Sequence, residues 1–266
     1  MKIFINKLLF YIIMDSRILK ELITEQKKEF EKKETFVERT LLKEIKQYIK
    51  LPHAVIISGL RRSGKSTLLK EIKHTYYKNE DIYYFNFEDE RLINFTLNDF
   101  NLLYETFMEV IGKSNIFFLD EIQVVDGWEA FVRRMYEKGF KFFITGSNSS
   151  MLSREMGTKL TGRSISIELY PFSFKECLLY KNINTNKDLF LTEDRAIIKK
   201  EFNKYLEKGG LPEYRIYNND KTLIDLYENI LYKDVIVRYN LTDEKSLKNA
   251  DTGLVTVANN SRLSDS

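Results

Sequence analysis

The stretch Gly59 to Ser66, GLRRSGKS, constrains the fold of this chain more than any other. It fits the pattern G-x-x-x-x-G-K-[ST], a loop whose backbone wraps an anion and which works only between a strand and a helix. Both flanks are present. Ala54 to Ser58 (AVIIS) is a short apolar run of strand character, and Thr67 to Tyr77 (TLLKEIKHTYY) has helical spacing. Gly59 and Gly64 allow the bend, so that successive N–H groups from Arg61 to Ser66 can converge on a phosphate, and the start of the helix adds its dipole. Lys65 would reach the β and γ phosphates as a point charge, and the Ser66 hydroxyl would help hold Mg2+. The candidate binding stretch is therefore Gly59, Leu60, Arg61, Arg62, Ser63, Gly64, Lys65, Ser66 and Thr67. The plain alternative, an ordinary glycine-bearing turn, does not account for the paired flanks.

A second constraint lies downstream. Ile116 to Leu119 (IFFL) is a fully apolar strand that ends in Asp120 and Glu121. Burying either carboxylate without a partner is costly, so acids at that strand end call for a use. Beside a phosphate loop, Asp120 would bind Mg2+ directly or through water, and Glu121 would orient and deprotonate an attacking water. A strand that merely ends in a polar turn is the competing reading, and the phosphate loop upstream disfavours it.

The remaining pattern supplies strands and helices in alternation. Asp15 to Leu51 reads as helical, with one stripe at Ile18, Leu22 and Ile23 and another running from Phe36 through Leu41 and Ile45 to Ile49; Gln26 to Glu34 between them is a mixed-charge run expected on a solvated face or linker. Pro52 ends that helix. Ile82 to Phe87 is a second strand, Leu97 to Ile111 a helix, and Gly127 to Tyr136 another with Trp128 in the core. Phe140 to Thr145 is a fourth strand, and Gly146, Ser147 and Asn148 at its end would face the same crevice as the phosphate loop. A polar segment with Arg154, Lys159 and Arg163 precedes a fifth strand, Ser164 to Leu169, stopped by Pro171. Beyond it, Glu193 to Leu206, closed by Gly209 and Gly210, and Thr222 to Val235 are helical, while Ala250 to Ser266 has no sustained period and is expected to be weakly ordered.

Composition excludes several classes. With 266 residues, 43% of them hydrophobic and 30% charged, the chain has the length and balance of a soluble globular protein. A net charge of +3 is too small to argue for nucleic acid. Cys177 is the only cysteine, so no internal disulfide forms and a reducing, cytoplasmic setting is expected, with Cys177 itself a buried small hydrophobe. His53 and His74 stand far apart without ligand-spaced neighbours, which leaves zinc without support. Ile3 to Met14 is apolar but too short to span a bilayer and is broken by Lys7. It reads as a membrane or signal segment, as ordinary structure, or as an extension upstream of a true start at Met14.

Several stretches together resemble one family, the archaeal and bacterial P-loop ATPases of the AAA class that carry a C-terminal domain of unknown function. They are GLRRSGKSTLL at Gly59 to Leu69, FEDERL at Phe87 to Leu92, IFFLDEIQ at Ile116 to Gln123, the GWEAFVRRMY helix, ITGSNSSMLS at Ile144 to Ser153, LTGR ending at Arg163, ELYPFSFKE at Glu168 to Glu176, and GGLPEY at Gly209 to Tyr214. The resemblance spans roughly residues 17 to 245. It implies an α/β fold with a five-stranded, mainly parallel sheet of the additional-strand type, helices on both faces, and a smaller helical region after it. The expected divisions are a leader at 1–14, N-terminal helices at 15–52, the ATPase core at 53–170, a helical region at 171–249 and a tail at 250–266.

The same resemblance implies ATP and Mg2+ as cofactors. Lys65 and Ser66 become nucleotide and metal ligands, Asp120 the Mg2+-linked acid, Glu121 the base, and Ser147 or Asn148 a polar sensor near the γ-phosphate. Arg163 resembles an arginine finger acting on the nucleotide of a neighbouring copy, or else is a surface arginine beside a strand. Arg61 and Arg62 add positive potential near the phosphates or are simply solvated. Relatives of this kind begin near Met14 and continue well past residue 266 through a winged-helix-like segment, the part that would bring nucleic acid as a partner. The chemistry expected is Mg2+-dependent ATP hydrolysis, with a non-hydrolysing nucleotide switch as the alternative; a small-molecule kinase is disfavoured because the Asp120–Glu121 pair suits water activation.

Overall fold

The structure, a computed structural model, describes residues 14–32, 34, 36–146, 160–183 and 192–229. The leader from Ile3 to Ile13, the sensor pair Ser147 and Asn148, Arg154, Lys159, the far end of the Thr222 to Val235 helix and the tail from Ala250 lie outside these residues.

Five strands form one sheet: β1 (Ala54–Ser58), β2 (Tyr83–Asn86), β3 (Ile116–Asp120), β4 (Lys141–Gly146) and β5 (Ser164–Glu168). Their order is β2-β3-β4-β1-β5 and every pairing is parallel. β4 therefore stands between the strand that feeds the phosphate loop and the strand that ends in Asp120, as the additional-strand arrangement requires. Parallel strands need crossovers. These are supplied by α3 (Lys65–Tyr76), α4 (Phe100–Val110) and α5 (Trp128–Glu137), preceded by α1 (Ser16–Phe30) and α2 (Leu41–Ile45).

The central strands β3, β4 and β1 are buried on both faces, which explains why they read as nearly continuous apolar runs. Ala54, Ile56, Tyr83, Phe85, Phe117, Leu119, Phe142 and Ile144 pack on one side with α1, α4 and α5. Val55, Ile57, Ile116, Phe118, Phe143 and Ile167 pack on the other with Leu68, Leu69 and Ile72 of α3 and Leu42 and Ile45 of α2. Alternate residues of each strand go to opposite sides, as the pleat dictates. Partners in register also stack: Phe117 on Phe142 at 5.0 Å and Phe118 on Phe143 at 4.8 Å between centroids. Each such pair adds about 1 kcal/mol beyond its buried area and fixes β3 against β4.

All strands point the same way, so their carboxyl ends share one edge. Ser58 pairs with Gly146 and Glu168, and Asn86 with Asp120. Ligands of open α/β sheets sit at that edge.

The expected helix from Phe36 to Ile49 is shorter than its apolar stripe. Only Leu41–Ile45 is α-helical, continued by a 3-10 turn at Lys46–Tyr48, and residues 36–39 are not helical. The N–H groups of Arg39 and Thr40 go to the carboxylates of Glu71 and Glu176 instead, at 3.3 and 2.7 Å. Behind α2, Lys141 donates to the carbonyls of Tyr48, Leu51 and His53 at 2.7–2.8 Å, pinning the turn that leads into β1.

After β5 come α6 (Phe174–Tyr180), α7 (Thr192–Lys208) and α8 (Pro212–Tyr217). The sequence pattern misses α6, although Ser173 and Glu176 form a capping box at its start. Gly209 follows α7 with φ +64°, the conformation of a helix-ending glycine. Contacts divide the chain into two units, one running up to Arg215 and the other from Ile216, whose described helix is α9 (Asp220–Asn229). Among the described residues no helix is long and apolar enough to cross a membrane.

Candidate functional site

The phosphate loop leaves β1 at the carboxyl edge of the sheet. Gly59 takes φ +151°, and a Cβ there would lie 2.3 Å from the Leu169 carbonyl oxygen, so no other residue fits. Gly64, at φ +97°, turns the chain into α3. Arg62 is also left-handed, at φ +62°, an unusual conformation for a residue with a long side chain. Lys65 opens α3 and is only 5% exposed. Its ammonium donates to the carbonyls of Gly59 and Leu60 at 3.2 and 3.3 Å and stands 3.3 Å from Glu121 Oε1. Ser66 and Thr67 follow on an exposed face of the first turn.

β3 delivers its two acids against this loop. Asp120, 1% exposed, accepts hydrogen bonds from the hydroxyls of Thr145 and Ser66 and, at 3.3 Å, from Tyr84. Burial pushes its carboxyl above the ordinary range, although Thr145, Ser66 and the nearby Lys65 ammonium pull it back. The Tyr84 phenol is pushed up in turn, by burial first and by the Asp120 charge second. Glu121 breaks out of the strand with φ +52°, its N–H donating to Thr145 Oγ1 at 3.1 Å. Gln123 Nε2 donates to Glu121 Oε2 at 2.5 Å, leaving the other carboxylate oxygen toward Lys65. Lys65, Ser66, Asp120 and Glu121, separated by more than fifty residues in sequence, thus form one connected polar cluster.

Arg61 and Arg62 are both paired. Arg61 stands 3.5 Å from Glu88 and Arg62 3.0 Å from Glu213 in the GGLPEY stretch. Burial raises the Glu88 carboxyl, with repulsion from Glu121 adding to it and Arg61 opposing. Arg163 lies elsewhere. Its carbonyl accepts from Ala54 N–H at 2.9 Å, at the amino ends of β1 and β5, and its guanidinium is 3.5 Å from Glu137. With all strands parallel, this is the opposite edge of the sheet from the phosphate loop of the same chain, about 15 Å away along β1.

Tyr84, Thr145, Gln123 and Arg39 are absent from the sequence-derived set. Thr145 matters through the pairing of β4 with β3, which no local pattern announces. Arg39, twenty residues before the loop, carries no local signal at all.

Whether Mg2+ suits these residues can be judged from the donors. Among the described residues there is no group of three or more His, Cys, Asp or Glu side chains fit to cage a metal. Mg2+ is usually held by one or two carboxylates together with substrate phosphates and waters. The Ser66 hydroxyl on the Asp120 carboxylate is a donor set of that kind, with the Lys65 ammonium close by.

Residues 51–178 match a family model described as an AAA domain. An uncharacterised protein of Methanocaldococcus jannaschii is 37% identical over 241 residues, 89% of this chain and 53% of its own length. An uncharacterised protein of Haemophilus influenzae is 33% identical over 202 residues, 73% of this chain and 48% of its own. The chain thus spans about half the length of these relatives. A crystal structure of a DNA replication initiation factor aligns with 77% of this chain and 71% of its own at 17% identity, with a TM-score of 0.35, too low to liken the two.

Proposed function

We propose, from the AAA-type P-loop domain that this chain carries and shares with uncharacterised archaeal and bacterial proteins, that the protein binds ATP with Mg2+ and hydrolyses it. The observation that carries this reading is the contact of Lys65 with Glu121 beside Asp120 and Ser66. An ammonium, two carboxylates and a hydroxyl meeting at one edge of the sheet support that reading.

The chemistry assigns a part to each group. Lys65 exchanges the carbonyls of Gly59 and Leu60 for β- and γ-phosphate oxygens. Ser66 and Asp120 would hold Mg2+, whose charge offsets that of the phosphates. Glu121 accepts a proton from water as the water oxygen bonds to the γ-phosphorus; the bond from that phosphorus to the bridging oxygen breaks, and ADP leaves with the electron pair. Thr145 orients both acids by donating to one and accepting from the backbone of the other. Ser147 or Asn148 would sense the γ-phosphate. Arg163, on the far edge of its own sheet, would act only on the nucleotide of a second copy. A free, buried Cys177 suits a reducing compartment such as the cytoplasm.

One observation favours a second reading, a nucleotide switch with little turnover. Arg62 of the loop is tied to Glu213, so ATP in the loop would be felt in the helices after β5. Single-turnover phosphate release separates the two readings. Hydrolysis predicts Mg2+-dependent phosphate from the wild type and almost none from Glu121→Gln, whereas a switch binds ATP and leaves it intact. Equal ATP affinity in the wild type and Lys65→Ala would overturn both.

A further inference from the structure

Arg39 is a buried guanidinium that the chemistry above does not use, and it touches the phosphate loop from outside. Its Nη1 donates to the Ser63 carbonyl at 2.9 Å. The same guanidinium donates to the Tyr170 carbonyl and, at 3.3 Å, to Glu176, and it lies over the Phe172 ring at 4.9 Å from the centroid. Glu176 is itself locked. Burial alone would raise its carboxyl, yet the N–H groups of Thr40 and Ser173 and the Arg39 charge hold it below the ordinary range. One planar fork therefore fixes the chain before β1, the phosphate loop and the segment after β5 together.

The Ser63–Gly64 peptide is trans, as are all peptide bonds in the described residues. In a trans peptide the C=O and N–H point to opposite sides of the chain. Holding the Ser63 oxygen toward Arg39 therefore turns the Gly64 N–H the other way. We propose that Arg39 is a positioning residue, which aims the Gly64 N–H into the phosphate site by anchoring the Ser63 carbonyl behind it. Such an amide meets a phosphate oxygen with its orientation already fixed, so none is lost when the ligand arrives. Gly64 is suited to the arrangement, because its φ of +97° is one that residues with a side chain rarely adopt. Lysine does not replace the group, since a single ammonium lacks the fork that serves Ser63, Tyr170 and Glu176 at once.

This inference rests on the nucleotide reading, and the test separates the two. Mg2+-ATP, inorganic pyrophosphate and adenosine are titrated against the full chain as wild type, Arg39→Lys and Lys65→Ala. Arg39→Lys is expected to bind Mg2+-ATP and pyrophosphate about tenfold more weakly while keeping its adenosine affinity, because only the phosphate cradle is disturbed. Unchanged pyrophosphate affinity in a folded Arg39→Lys protein overturns the inference, and so does an equal loss for adenosine, which marks a general structural role. If Lys65→Ala keeps full affinity as well, the nucleotide reading itself falls. Should Arg39→Lys fail to fold, the nitrogen-15 spectrum of the wild type decides. The Gly64 amide proton is expected to move downfield on adding pyrophosphate, and a Gly64 resonance that stays in place overturns the inference.

Discussion

Lys65 Nζ stands 3.3 Å from Glu121 Oε1, with both side chains almost sealed from solvent. Together with the carbonyls of Gly59 and Leu60, the carboxylate gives the ammonium three acceptors for its three N–H groups. A triphosphate has to displace these partners before Lys65 can serve it. On the proposed function, Glu121 is therefore a competitor for the cation that the substrate needs, as well as the base.

Glu121→Gln removes the competing charge without shortening the side chain. ATP affinity is expected to stay level or rise, by up to about tenfold, while turnover falls at least about a hundredfold for want of a base. Equilibrium binding beside single-turnover hydrolysis reads both. Weaker ATP binding by Glu121→Gln would contradict the displacement of Lys65 from Glu121.

Thr145→Val keeps the shape of a side chain that bridges two acids and deletes its hydroxyl. Asp120 loses one of the hydrogen bonds that oppose its burial, and the Glu121 N–H loses its acceptor. A loss of about 2–3 kcal/mol is expected in urea unfolding, the usual cost of buried groups left without partners. The Asp120 carboxyl should shift further upward, so half-maximal activity should need more Mg2+ at neutral pH.

The loop and the strand ending in two acids were legible because their chemistry is written in local spacing. Strand and helix alternation was legible too, while the parallel, additional-strand sheet came with the family resemblance. What escaped depends on long-range pairing. Thr145 matters only because β4 lies in register with β3, and no pattern within FKFFIT says so. The stripe from Phe36 to Ile49 has helical spacing, but the backbone N–H groups of Arg39 and Thr40 find carboxylates 32 and 136 residues away, and the helix starts late. Arg163 at the amino edge of β5 lies far from the loop of its own chain, so the finger role that the resemblance implies for it concerns the nucleotide of a neighbouring copy alone.

Gly210 is expected to be the most sensitive glycine outside the loop. A Cβ there would lie 1.9 Å from the Phe172 carbonyl oxygen and 3.1 Å from the Tyr205 ring, and Phe172 N–H donates to the Gly210 carbonyl at 2.7 Å. The two backbones touch, so nothing flexible can give way. Gly210→Ala should cost about 2–4 kcal/mol in chemical denaturation. Gly112→Ala is the control, since Gly112 has φ +93° with nothing within 4 Å of its would-be Cβ and should lose only about 1 kcal/mol of backbone preference. Equal losses would mean that the contact with Phe172 is not the cause.

Glu71 on α3 gives stability a pH dependence of definite sign. It is buried, its Oε1 accepts from Arg39 N–H at 3.3 Å, and its Oε2 has no hydrogen-bond partner. Burial pushes the carboxyl up to about 7; the Arg39 N–H and charge oppose this, and Glu38 and Glu176 add repulsion. The unfolded chain releases this proton near the ordinary value of 4.5. Between those two values the folded chain holds a proton that the unfolded chain has lost, so stability falls as pH rises through the window and levels off above it. Glu71→Gln removes the titration and keeps an acceptor for Arg39 N–H. The variant should be the more stable protein at pH of about 8, by about 3 kcal/mol, with the gap closing as pH is lowered toward about 4.5. Urea unfolding of both proteins across that range tests the sign. A gap that widens in acid would mean that Glu71 is ionised and stabilising in the fold, with Arg39 outweighing burial.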